Sequence, residues 1–292
     1  GNVSWKTNQN YKGWIDDVAI WNRALTEEEI RNIYYEGFYI HENGVTIVCD
    51  NAEIGETGVI NSITYTKRTK DQITLENAST TCTSGITDMS NLFNYDWTED
   101  GSFNEDISHW DVSSVTNMFG LFHNTDFNQD IGNWDVSNVT DMMLMFARTP
   151  FNQDISEWNT SNVVTLDATF ALSDFNQPIG NWDVSNVTDM DGLFMASKFN
   201  QDISNWDVSN VERMESMFNE SDFNQPIGNW DVSSVTWMHF MFFGANEFNQ
   251  PIGEWDVSKV TAMGAMFANT KFNQDLSNWC VSNFASEPDA FS

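Results

Sequence analysis

Six aspartates, Asp111, Asp135, Asp183, Asp207, Asp231 and Asp256, each stand between a Trp and a Val, and Asn159 and Cys280 take the same place in two further copies. A carboxylate repeated at a fixed interval can do one of three things. It can ligate a cation, for which hard oxygen donors and surplus negative charge favour Ca²⁺. Two of them can work as an acid–base pair on a glycosidic bond. Or each can accept hydrogen bonds from backbone donors of the adjoining turn. Asn159 separates Asp111 and Asp135 from the rest, so Asp183, Asp207, Asp231 and Asp256 are the candidate cation site. Nothing singles out a pair for hydrolysis, so no catalytic residue is assigned and an enzyme is not expected.

A second set breaks the polar character of the positions around it. Trp97, Trp237, His239, Phe240 and Phe243 are aromatic where other copies carry small or polar residues, and Phe243 to Glu247 holds one extra residue. Local filling is one reading; an exposed aromatic patch for a protein or a sugar is the other. The four histidines, at 41, 109, 123 and 239, match no triad or ligand spacing.

The elements that must position these residues come from a repeat. Phe-Asn begins eight segments, at Phe103, Phe127, Phe151, Phe175, Phe199, Phe223, Phe248 and Phe272, spaced by 24 residues with one step of 25. Seven residues after each Phe stands a Trp, and 19 after it a second Phe. Such self-similarity marks a stacked array, in which no unit buries its aromatics alone. Within a unit, Trp206-Asp207-Val208 alternates like a short strand, with Trp and Val inward. Ser209 then reads as an N-cap, and Val211, Met214, Met217 and Phe218 follow at helical spacing. The expectation is therefore an α/β solenoid of about eight 24-residue coils, each a short strand plus a short helix. Pro178, Pro226 and Pro251, each followed two residues on by Gly, read as turn chemistry. The Met row from Met118 to Met263 reads as core, and the Asn ladder from Asn104 to Asn273 as hydrogen bonds between coils.

The stack needs caps. Ser84, Ile86, Met89, Leu92 and Phe93 match half a unit. Upstream, Val45 to Val48 and Val59 to Thr66 alternate like strands about a Gly55–Gly58 turn, a small β cap. Phe284, Glu287, Pro288 and Phe291 end the pattern. The organisation expected is residues 1–40 as the tail of another module, 41–102 as N-terminal cap and 103–292 as repeats with a C-terminal cap. Cys49 and Cys82 both fall in the cap and either pair or stay reduced; Cys280 is expected to be free.

Composition narrows the partners. Among 292 residues, 43 acidic and 12 basic side chains give a net charge of −31, which repels nucleic acid and anionic membranes. No apolar run is long enough to span a bilayer. With 22 Phe, 13 Trp and 13 Met the chain is expected to fold around aromatics. Its first residues have neither a basic nor an apolar segment, so no signal peptide is read there.

The units Phe199 to Val211 (FNQDISNWDVSNV) and Phe223 to Ser233 (FNQPIGNWDVS) resemble the BspA-like leucine-rich-repeat family of bacterial surface proteins. The resemblance covers about residues 45–292, with Val59-Ile60-Asn61 and Cys82-Thr83-Ser84 similar to that family's N-terminal cap. Gly13 to Thr26 (GWIDDVAIWNRALT) resembles the end of a laminin-G or concanavalin-A-like lectin domain. The resemblance implies a modular exported protein, secreted or on a bacterial surface. It implies a non-catalytic adhesion module, monomeric within the larger chain, that presents an extended face to a protein ligand or a cell-surface or matrix component. The alternative is a carbohydrate-binding or polysaccharide-degrading module. No cofactor is implied beyond the Ca²⁺ reading of the Asp column.

Overall fold

The computed structural model describes residues 37–94 and 102–282, all within one unit that begins at Gly37. Residues 1–36 of the stretch expected to be the tail of another module, including its lectin-like segment, lie outside the described residues, as do Trp97 and the expected C-terminal cap at Phe284 to Phe291.

The N-terminal part, expected as a cap, forms two small sheets, and its hairpin turn lies elsewhere than expected. Strands β1 (Tyr39–Ile40) and β2 (Ile47–Val48) pair antiparallel; β3 (Thr57–Ile60) and β4 (Ile63–Lys67) form a hairpin, to which β5 (Thr81–Cys82) adds in parallel. The hairpin turns at Asn61-Ser62, both with positive φ (51° and 70°), the two-residue geometry that matches strand twist. Gly58, expected in the turn, lies inside β3. Phe38, Ile47, Ala52 and Tyr65 form a separate small core around a disulfide between Cys49 and Cys82. The cap joins the first coil through the Ile47 amide, donating to His109 O at 2.8 Å, and the Trp110 indole, donating to Ala78 O at 3.0 Å.

The coils stack as the repeat requires, but the α/β solenoid of strand plus helix per coil is not what forms. Among the described residues the only helical elements are two three-residue 3₁₀ turns, Lys70–Gln72 and Ala78–Thr80, both in the cap. The stretch expected to be helical is a run of overlapping turns. In one coil the amides of Met214, Ser216, Phe218 and Glu220 donate to Trp237, His239, Met241 and Phe243 carbonyls of the next coil. The amides between them close turns, Met217 to Met214 O and Asn219 to Ser216 O. Ser216 (φ 56°) and Glu220 (φ 55°) are left-handed, as are Leu144, Arg148, Ala168 and Leu172 in other coils. An α-helix cannot contain such residues, each costing about 1–2 kcal/mol for a side chain with Cβ. Four hydrogen bonds per interface offset that strain.

The expected strand is corrected as well. Trp206 is buried and Asp207 exposed, as alternation requires, yet Trp206-Asp207-Val208 pairs with no strand. The parallel pairing sits instead in the turn half, as single bridges linking Asp88, Asn117, Asp141, Thr165, Asp189, Arg213, Trp237 and Ala262 in order.

Between coils the aromatics stack. Rings of Phe122, Phe146, Phe170, Phe194, Phe218, Phe242 and Phe267 follow one another at 5.6–5.9 Å. From Trp134 to Trp279 each repeat Trp donates its indole N–H to the Ile carbonyl of the preceding coil, as Trp206 does to Ile179 O at 3.1 Å. The Asn ladder is as read: Asn176 Oδ1 accepts the Asn200 amide at 2.9 Å and the Gln201 amide group at 3.0 Å. Gly180 answers to packing more than to turn chemistry, since a Cβ there would stand 2.6 Å from the Asp202 carbonyl of the next coil and φ is not positive.

Candidate functional site

The bridge column and the residues two places on form one edge of the stack, and there the coils differ from one another. Buried neighbours hardly change, with Met190, Met214, Met238 and Met263 in consecutive coils. The bridge position, by contrast, runs Asp141, Thr165, Asp189, Arg213, Trp237, Ala262, and the second column Met143, Asp167, Asp191, Glu215, His239, Gly264. The ladder from coil to coil is backbone to backbone there, so side chains vary without disturbing it and add bonds of their own in some coils.

Arg213 is the centre of this edge. Its Nε donates to Asp191 Oδ2 at 2.7 Å and a second guanidinium nitrogen reaches the same oxygen, while Asp189 lies 3.5 Å and Glu215 4.0 Å away. Its guanidinium also lies over the Trp237 ring, 4.9 Å from the centroid. Asp191 Oδ1 takes the Glu215 amide at 2.6 Å. The hydrogen bond to Asp191 raises the Arg213 pKa further, so this cation is permanent.

Asp167 is treated differently. Burial, then the charges of Asp189 and Asp191, push its pKa up to about 7, with Arg213 opposing and Asp141 adding to the rise. Its carboxyl therefore holds a proton up to near neutrality when folded, but only to about pH 4 when unfolded. The folded state binds more protons across that window, so stability falls as pH rises from about 4 to 7 and levels above it. Asp167→Asn should remove the dependence: little change in melting temperature at pH 4, and a gain on the order of 1–2 kcal/mol at pH 8 after allowance for water access. Equal shifts at both pH values would show that the carboxyl titrates normally.

The aromatic set found in the sequence lies on the same edge. Trp237 and Phe240 are 41% and 40% exposed, and His239 and Phe243 half-buried. Their rings run on from one to the next, Trp237 to His239 at 6.4 Å, His239 to Phe240 at 5.9 Å, Phe240 to Phe243 at 5.8 Å. His239 Nδ1 accepts the Gly264 amide at 3.0 Å.

The Asp column does not join them, standing six residues ahead of the bridge position in each coil. Asp183 Oδ1 accepts the Ser185 amide at 3.0 Å and its hydroxyl at 2.6 Å; Asp207 does the same with Ser209, and Asp231 and Asp256 take the amides of Ser233 and Ser258. The serine hydroxyls, then the amides, hold Asp183, Asp231 and Asp256 below the usual carboxylate range. Their charge is spent on the turn that follows. Among the described residues no three His, Cys, Asp or Glu side chains are placed to hold a metal ion.

Sequence reading missed Asp167, Asp189, Asp191, Arg213 and Glu215, because each looks like an ordinary polar residue of its own unit. Aligning units on the Met row and comparing the positions on either side of it would have shown Asp141 and Asp189 giving way to Arg213 and Trp237 before it, and Asp167, Asp191 and Glu215 in a row after it.

A family model described as "Mycoplasma protein of unknown function, DUF285" matches residues 62–173, 145–222 and 196–292. No curated protein and no solved structure matches the chain. Among the described residues no helix is long and apolar enough to cross a membrane.

Proposed function

We propose, from the premise that this chain belongs to the DUF285 family, that it is a non-catalytic recognition module of an exported or cell-surface protein, whose bridge edge meets a protein ligand. The observation that carries this is the division within each coil. Core positions repeat from unit to unit, whereas the bridge edge varies and exposes Trp237 and Phe240. A stack that served only as a spacer would have no reason to expose an indole in one coil. The Cys49–Cys82 disulfide supports an oxidising compartment, and the resemblance to BspA-like surface proteins supports adhesion.

The test is an array of matrix proteins, cell-surface proteins and glycans probed with the chain and with a Trp237→Ala, Phe240→Ala variant. Protein capture weakened about tenfold or more by the variant is expected, as for aromatic anchors at an interface. Ring-dependent capture of glycans alone would move the module to the carbohydrate-binding class. Protein capture indifferent to the variant would remove the bridge edge from the mechanism.

A further inference from the structure

We infer that the partner segment docking on the bridge edge is cationic, an extended stretch of protein that sets an arginine or lysine beside an apolar side chain. This rests on the recognition reading above and names its chemistry.

Shape comes first. Trp237, Phe240 and Phe243 rise from one coil, and the next coil places Ala262, Ala265 and Ala268 at the equivalent positions. A ridge of rings thus stands beside a floor of methyl groups, one coil spacing away, about 4.8 Å. An apolar side chain lying across Ala262 would pack against the indole. Among the repeat tryptophans from Trp110 to Trp255 every ring is within the core at 4% exposure or less, so the 41% exposure of Trp237 is not a habit of the fold.

Charge decides which apolar segment. On the other side of the ridge the edge carries Asp141, Asp167, Asp189, Asp191 and Glu215 against Arg213 alone. Arg213 is already committed to Asp191, and Asp141 and Asp167 take part in no ion pair among the described residues. Arg213 also shows what this surface does with a guanidinium: it is held by carboxylate on one side and laid on an indole face on the other. An acidic segment would meet like charge here and throughout a chain of net charge −31.

The probe is a fluorescein-labelled peptide alternating Arg with Leu, compared with Glu–Leu and Arg–Ser counterparts by anisotropy at pH 8. The Arg–Leu peptide is expected to bind best. Trp237→Ala with Phe240→Ala should weaken it about tenfold or more, as loss of aromatic anchors does. Asp141→Asn, Asp167→Asn and Asp189→Asn together should weaken it about fivefold or more and flatten its salt dependence. Asp183→Asn, Asp207→Asn and Asp231→Asn together remove as many charges elsewhere in the coils and should leave affinity within about twofold. Circular dichroism of each variant checks that it folds.

Equal losses from the two triple variants would mean attraction by net charge alone and would overturn the inference. So would binding of Glu–Leu as tight as Arg–Leu, or Arg–Ser matching Arg–Leu with no effect of the rings. Concentration-dependent self-association abolished by the ring variant would make a second copy the occupant and overturn it too. If the array yields a ring-dependent protein ligand while the Arg–Leu peptide fails, the recognition reading stands and only the cationic partner is lost.

Discussion

Replacing Trp182 by Ala is expected to lower stability by about 3–5 kcal/mol, the range for emptying a large aromatic site in a packed core. Trp182 is 3% exposed, its ring lies 6.3 Å from Trp158 in parallel and 6.1 Å from Phe170, and its N–H donates to Ile155 O at 3.0 Å. The substitution therefore empties a cavity between two coils and removes a bond that joins them. Because each coil is buried only by its neighbours, the loss falls on the interface that holds the stack together. Trp182→Phe keeps most of the ring but not the donor, and should cost about 1–2 kcal/mol. Trp279 makes the same bond, to Ile252 O at 3.0 Å, but is only partly buried near the end of the described coils, so Trp279→Ala should cost clearly less than Trp182→Ala. Denaturant unfolding reads all three; a Trp182→Ala loss below about 1 kcal/mol would mean that neighbouring coils close over the gap.

The disulfide is the second large term. Cys49 and Cys82 are 33 residues apart in sequence and both fully buried, and a loop of that length predicts about 4 kcal/mol from chain entropy, within a usual range of about 2–4. Converting both to Ala should cost that amount, read as a fall in the unfolding midpoint. The cap has its own small core, distinct from the large one that runs through the coils. Amide exchange should therefore speed up first in β3 and β4, while amides such as Met190 and Met214, bonded between coils, keep their protection. Uniform loss of protection would show that cap and coils unfold as one, and the cap would then be part of the nucleus of the stack.

Much of this was legible in the residues. The period put Phe199, Trp206, Val211, Met214 and Phe218 inside, and the structure keeps every one of them there. Trp-in and Asp-out alternation was also right for Trp206 and Asp207, although no strand forms around them. The helix was misread for a definite reason. Apolar residues at Met214, Met217 and Phe218 have the spacing of one helical face, but turns with a left-handed third residue, Ser216 in the one closed by Met217 and Glu220 in the one closed by Ser221, bring the same three positions inward. Hydrophobic spacing records which side chains are buried, and is blind to where the backbone amides go.

The sequence by itself determined the unit, its length and the inward set. Only the tertiary structure decided which strip of the coil becomes the bridge edge, and so brought Asp191, Arg213 and Trp237 together from positions 22 to 24 residues apart. The physical reason is that amide N–H and C=O groups are alike at every residue. Their choice of partner, the same coil or the next, depends on a neighbouring coil being there to accept them, and no single unit of the sequence contains its neighbour.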